Sequence, residues 1–233
     1  VSETVNAPRI DHEARHHALV EHLVTELRPV RRLWPVSVRL AIWIVIEAGV
    51  LLLVIRNSGR ADLAQQFRNP WYLLSVGGFA VAGVIGAAFA LRSAIPGRGP
   101  RGMEVGLFLV LTLASALLLL HEPINQVMPI GNFIRQGLPC VFGIAIFAAL
   151  PLLVLFWAMR RGAPLAGGVG GALAGAGAFL FSFALMRVDC PIDEGLHLFM
   201  WHFLPALIGV VLSAGGGFLL FRRRVRVDRS NSR

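Results

Sequence analysis

Residues 34–55 read WPVSVRLAIWIVIEAGVLLLVI, an apolar run interrupted by one arginine, Arg39, and one carboxylate, Glu47. A helix needs roughly 20 mostly apolar residues to cross the hydrocarbon core of a bilayer. Five further runs follow: Trp71 to Leu91, Met103 to Leu120, Leu138 to Met159, Leu165 to Met186 and Leu196 to Phe221. None alternates polar and apolar positions as a membrane β-barrel strand does. The expected fold is an all-α membrane protein. A six-helix transmembrane bundle occupies 34–221, after a short N-terminal segment 1–33 and before a basic tail 222–233.

Composition agrees. Of 233 residues 56% are hydrophobic and only 15% charged, with a mean hydropathy of +0.68. A soluble domain is about a quarter charged. A soluble enzyme, a disordered chain and a collagen-like fibre are therefore excluded. The net charge of +9 comes entirely from arginine, since the chain has no lysine. The N-terminal segment with Arg39, the 92–102 and 160–164 loops and the tail hold 17 arginines; the connections on the other side hold 5, at Arg56, Arg60, Arg68, Arg135 and Arg187. Cytoplasmic flanks carry the excess of basic residues. Both termini are thus expected in the cytoplasm, and an even number of spans, which puts them on one side, agrees with that. The first 33 residues are polar and show no signal-peptide pattern. The tail arginines Arg222, Arg223, Arg224 and Arg226 suit anionic lipid; no folded reader of nucleic acid accompanies them.

Small residues recur at four-residue spacing in the last two spans, at Gly167, Gly171 and Gly175 and at Gly209, Ser213 and Gly217. Such faces let helix backbones approach closely in lipid. They fit a tight bundle or a homo-oligomer seam better than a ligand site.

Before the first span, Asp11 to Arg28 reads as an amphipathic helix. Leu19, Leu23 and Leu27 form a stripe with Val20 and Val24 beside them, opposite Glu13, His17, Glu21 and Thr25. Pro29 stops it. Val30, Arg31, Arg32 and Leu33 lead into the membrane. This helix could lie on the bilayer, pack on its own loops, or dock in a partner's groove. His12, His16 and His17 on a mixed-charge helix carry no specific metal signal.

The two cysteines, Cys140 and Cys190, fall at the outer ends of their spans in this topology. They fit a plain disulfide or a pair that answers an oxidant or a soft metal ion. His197, Asp193, Glu194, His121 and Glu122 lie near the same face, and His197 could join the thiols in a metal site. His197 and His202 are five residues apart, which on one α-helix directs them about 140° apart, so they are expected to be a poor pair for one metal. Glu47 in mid-span is read either as a proton or cation relay or as a structural carboxyl inside the bundle.

Three groups of residues together resemble the NrsF family, bacterial inner-membrane anti-sigma factors named as negative regulators of sigma F. The first is LVTELRPVRRLWP at 23–35. The second is Pro139-Cys140 with the Arg160-to-Pro164 turn. The third is Cys190-Pro191 followed by Asp193, His197, Trp201 and His202. The resemblance implies an extracytoplasmic-function sigma factor as partner, bound by Leu19, Leu23, Leu27, Arg28, Pro29, Val30, Arg31, Arg32 and Leu33. It also implies that Cys140 and Cys190 sense a heavy metal or oxidant, with transient metal binding and no resident cofactor. A membrane thiol oxidoreductase would want a C-x-x-C pair, which the chain lacks. A small ion transporter using Glu47 is the other alternative. No catalytic motif is present, so a non-enzyme is expected.

Overall fold

The computed structural model describes residues 7–25, 33–123, 129–162, 164 and 166–230, with side chains described between 14 and 221 of those ranges. Among the described residues every regular element is helical. The chain divides into two compact units, Val1–Leu33 and Trp34–Arg233.

The first unit contains α1, Ala7–Thr25. It begins four residues earlier than the apolar periodicity implies. Glu26 to Arg32, where the sequence places the end of the helix and the Pro29 stop, lie outside the described residues. The Thr25 hydroxyl donates back to the carbonyls of Glu21 and His22, at 3.1 and 2.8 Å.

The second unit holds α2 (Val36–Asn57), a single turn α3 (Leu63–Gln66), α4 (Pro70–Ser93), α5 (Gly102–Leu117), α6 (Ile130–Arg160), α7 (Gly167–Asp189), a short α8 (Gly195–Leu198) and α9 (Leu204–Ser230). A 3-10 turn extends α5 to His121, and a π turn, Phe199–Phe203, joins α8 to α9. Six segments are long and apolar enough to cross a membrane: Val36–Asn57, Pro70–Ser93, Gly102–His121, Ile130–Arg160, Gly167–Asp189 and Gly195–Phe221. The six-span reading holds. The main boundary shift is in α6, which starts eight residues before Leu138 and carries Pro139 and Pro151 inside it.

Helix α7 is the centre of the bundle. In its most apolar window 72% of residues are buried, more than in any other span. Its small side chains explain the placement, because α4 and α9 pack closely on it. A Cβ on Gly177 would lie 2.8 Å from the Ala87 nitrogen of α4, and one on Gly171 would lie 2.9 Å from the Gly217 Cα of α9. The glycine steps of the fifth and sixth spans are thus used within one chain, as the tight-bundle reading requires. Around them pack Trp43, Phe79, Leu91, Leu155, Met159 and Phe183, all buried.

Asn69 caps α4, its side chain accepting from the Trp71 amide at 3.0 Å, with Pro70 at the first helical position. Pro70 lacks the amide hydrogen that would be orphaned there. The connections after α2, α5 and α7 meet at one end of the bundle. The Arg60 amide donates to the Val188 carbonyl at 3.1 Å, and the Gly195 amide to the Pro123 carbonyl at 3.0 Å. That shared end is what six alternating spans require.

Candidate functional site

At this end the bundle buries a cluster of sulfur and imidazole. Cys140 lies in α6 just after Pro139, and Cys190 caps α7, its amide donating to the Met186 carbonyl at 2.8 Å. The two thiols are free. Their Sγ atoms are 3.7 Å apart, with Cys140 donating to Cys190. His197 Nε2 lies 3.6 Å from the Cys140 sulfur and 3.7 Å from that of Cys190. His202 completes the group, and one ligand atom from each of the four lies within 4.8 Å of the others. All four residues are buried. The Cys190 thiol is held below its ordinary value: Cys140 donates to it, burial opposes the shift, and His197 adds to it.

The sequence-based expectation that His197 and His202 diverge is wrong. The π turn Phe199–Phe203 intervenes. Its i→i+5 hydrogen bonding takes up one extra residue per turn, so residues five apart come to the same side. The two rings stand 5.3 Å apart, edge to face. Trp201, in the same turn, packs over Gly137 of α6, where a Cβ would collide with the indole. Gly137 is one helical turn before Cys140, so this contact sets the π turn beside the thiols.

Asp193, Glu122 and His121 of this face are engaged elsewhere. Asp193 accepts from Arg187 at 2.8 Å and from Arg60 at 2.5 and 2.8 Å. Arg187 also donates to Glu122 at 2.6 Å, and Arg60 to Asp62 at 2.6 Å. The Tyr72 hydroxyl donates to the Arg187 carbonyl at 2.9 Å, and Arg60 donates to the Cys190 carbonyl at 3.3 Å. Both guanidinium side chains are only 1% exposed. Burial opposes the charge on Arg60, but its bonds to Asp193 and Asp62 outweigh that and raise it further above its ordinary value. The Arg60 hydrogen bond holds the Asp62 carboxyl below the usual range. His121 stacks on Trp71, with centroids 4.4 Å apart. Sequence reasoning missed both arginines, because they serve equally as flanking charges in a topology count. It also passed over His202 as a partner of the thiols.

Within the first span Arg39, Trp43 and Glu47 follow one another at four-residue spacing and are all buried. The polar side-chain atoms of all three make no hydrogen bond among the described residues. Glu47 therefore faces the bundle interior.

On α1, Leu19, Val20, Leu23 and Val24 are each 54–58% exposed. Leu33 is half-buried. Leu27, Arg28, Pro29, Val30, Arg31 and Arg32 lie outside the described residues.

Six helices long and apolar enough to cross a membrane, with a buried thiol–imidazole cluster at one end, are compatible with the class of multi-pass, all-helical membrane proteins. The NrsF family model, negative regulator of sigma F, matches residues 23–224, and the chain belongs to that family. Membership makes it a negative regulator with a sigma factor as its partner. No curated protein and no solved structure matches the chain.

Proposed function

We propose that this protein is an inner-membrane anti-sigma factor, not an enzyme, with both termini in the cytoplasm. It holds an extracytoplasmic-function sigma factor and releases it on a heavy-metal or oxidative signal read by Cys140 and Cys190 at the periplasmic end. The observation that carries the binding half is the stripe of Leu19, Val20, Leu23 and Val24, exposed on a helix of its own unit. An apolar helix face of this kind suits a groove on a folded partner. In this reading the flanking residues Arg28, Pro29, Val30, Arg31, Arg32 and Leu33 also take part in binding, with the basic side chains meeting acidic groups on the sigma factor. The signal half is supported by the contact between the two buried thiols. A switch needs a signal that binds or modifies one state more strongly than the other. A change at Cys190 acts directly on the loop that Asp193 ties to Arg60 and Arg187.

A reporter for the sigma-dependent promoter tests this in cells. Expression should be silent with the intact chain, constitutive with Leu23→Asp, and uninducible or altered with Cys140→Ser. A reporter that stays silent with Leu23→Asp, with the variant present in the membrane, counts against the binding surface. Normal induction by metal and by oxidant in Cys140→Ser removes the signal role of the thiols.

A further inference from the structure

We infer that Cys140, Cys190, His197 and His202 form one closed, four-coordinate site for a d10 divalent cation of the zinc–cadmium class, with His202 as the fourth ligand. The inference rests on the proposed signal role of the two thiols and states what ligand their surroundings are built for.

Three observations point there independently. The first is the spacing of the ligand atoms. With metal–sulfur and metal–nitrogen distances of about 2.3 and 2.05 Å, a tetrahedral ion needs sulfur–sulfur and sulfur–nitrogen edges of about 3.8 and 3.6 Å. The cluster has 3.7 Å between its sulfurs, and 3.6 and 3.7 Å from the sulfurs to His197 Nε2. The second is His202. It is wholly buried, and neither ring nitrogen meets full hydrogen-bond geometry among the described residues; the polar group it interacts with is the Cys190 sulfur. A buried polar group normally has a partner, and a shared cation supplies one. The third is the π turn. It is the feature that brings His202 onto the side of His197, and such insertions concentrate at functional positions.

Charge also balances. A divalent ion with two thiolates and two neutral imidazoles is neutral overall, which suits a dry site. Binding transfers no electrons: two S–H bonds give way to two metal–sulfur bonds, and two protons leave to solvent. Two sulfur and two nitrogen donors in a tetrahedron favour zinc and cadmium. With four protein ligands no position stays open for substrate, which is the pattern of a structural or regulatory ion. The bound ion would also hold both sulfurs as thiolate ligands, so cation and oxidant compete for the same pair.

The test uses the reduced full-length protein in detergent, with Co2+ as spectroscopic probe and Cd2+ as competitor. One Co2+ per chain should bind with the intense visible bands of a tetrahedral ion and a thiolate charge-transfer band, and Cd2+ should displace it. His202→Ala should weaken binding by more than about tenfold, since even outer-shell changes cost 10–100-fold at metal sites. X-ray absorption of the Cd2+-loaded wild type should give two sulfur and two nitrogen neighbours, and this does not depend on a variant folding. Absence of cobalt bands in the reduced wild type, or a single nitrogen neighbour, overturns the inference. Release of the sigma factor is measured on the same preparations. If an oxidant releases it in a Cys140-dependent way while no cobalt binds, the cation site falls and the thiol signal stands. If cobalt binds through His202 but neither cation nor oxidant causes release, the site stands and the signal role falls.

Discussion

Arg187 and Asp193 form an ion pair at 2.8 Å that straddles Cys190 in the sequence and closes the loop around it. Arg60 reaches the same carboxylate from the connection after α2. The loop carrying Cys190 is thereby fixed to the ends of both the first and the fifth span. The cluster of thiols and imidazoles sits on a rigid base rather than on a free loop.

Asp193→Asn should expose the cost of that arrangement. It leaves two nearly inaccessible guanidinium groups without their shared carboxylate. Because Arg60 keeps Asp62 and Arg187 keeps Glu122, the loss should be about 1–3 kcal/mol, that of hydrogen bonds left unmade at buried groups. Thermal melting in detergent should drop clearly, and the Cys190 thiol should label faster with a maleimide. Unchanged melting would mean that solvent screens the pair.

The pair between Arg60 and Asp62 fixes a pH dependence. The folded Asp62 carboxyl titrates below its unfolded value, which is near 4. Its contribution is therefore complete above about pH 4 and is lost as pH falls through the lower folded value. Arg60 is shifted upward, so its contribution is present throughout the ordinary range. The stability difference between wild type and Asp62→Asn should stay constant from about pH 5 to 9 and shrink in acid. Asp62 is 42% exposed, so the difference should be small. A difference that grows in acid would contradict the assignment.

Gly137→Ala should disturb the cluster without touching any of its four members. The added methyl collides with the Trp201 indole, so the π turn must move away from α6. Cys140 should become more accessible to thiol reagents in membranes, while Gly131→Ala, where a Cβ meets nothing, should behave like wild type. Equal labelling of the two variants would show that Trp201 does not position the cluster.

Gly171→Val tests the seam between α7 and α9. Overpacking a tight contact costs about 2 kcal/mol. Because the seam lies within one chain, the variant should melt earlier at every protein concentration. A concentration-dependent effect would indicate a seam between chains.

The six spans were legible because a bilayer demands a fixed length of apolar chain, and each run from Trp34 to Phe221 meets it. The early start of α6 was not, since Asn132, Arg135 and Gln136 break the apolar pattern that defined the run. The pairing of Cys140 with Cys190 was legible only as a topological expectation. The return of His202 to the side of His197 was hidden, because the i→i+5 turn violates the 3.6-residue period used to read the helix. Arg60 and Arg187 were visible as charges, but their burial depends on which loops meet.

On the proposed function, the exposed stripe of α1 holds a sigma factor. The most direct measurement is the affinity of full-length protein in nanodiscs for each extracytoplasmic-function sigma factor of its host, with wild type beside Leu23→Asp. One sigma factor should bind selectively, and the variant should lose at least tenfold in affinity, about 1.4 kcal/mol, while inserting normally. Selective binding that Leu23→Asp leaves unchanged would contradict the account.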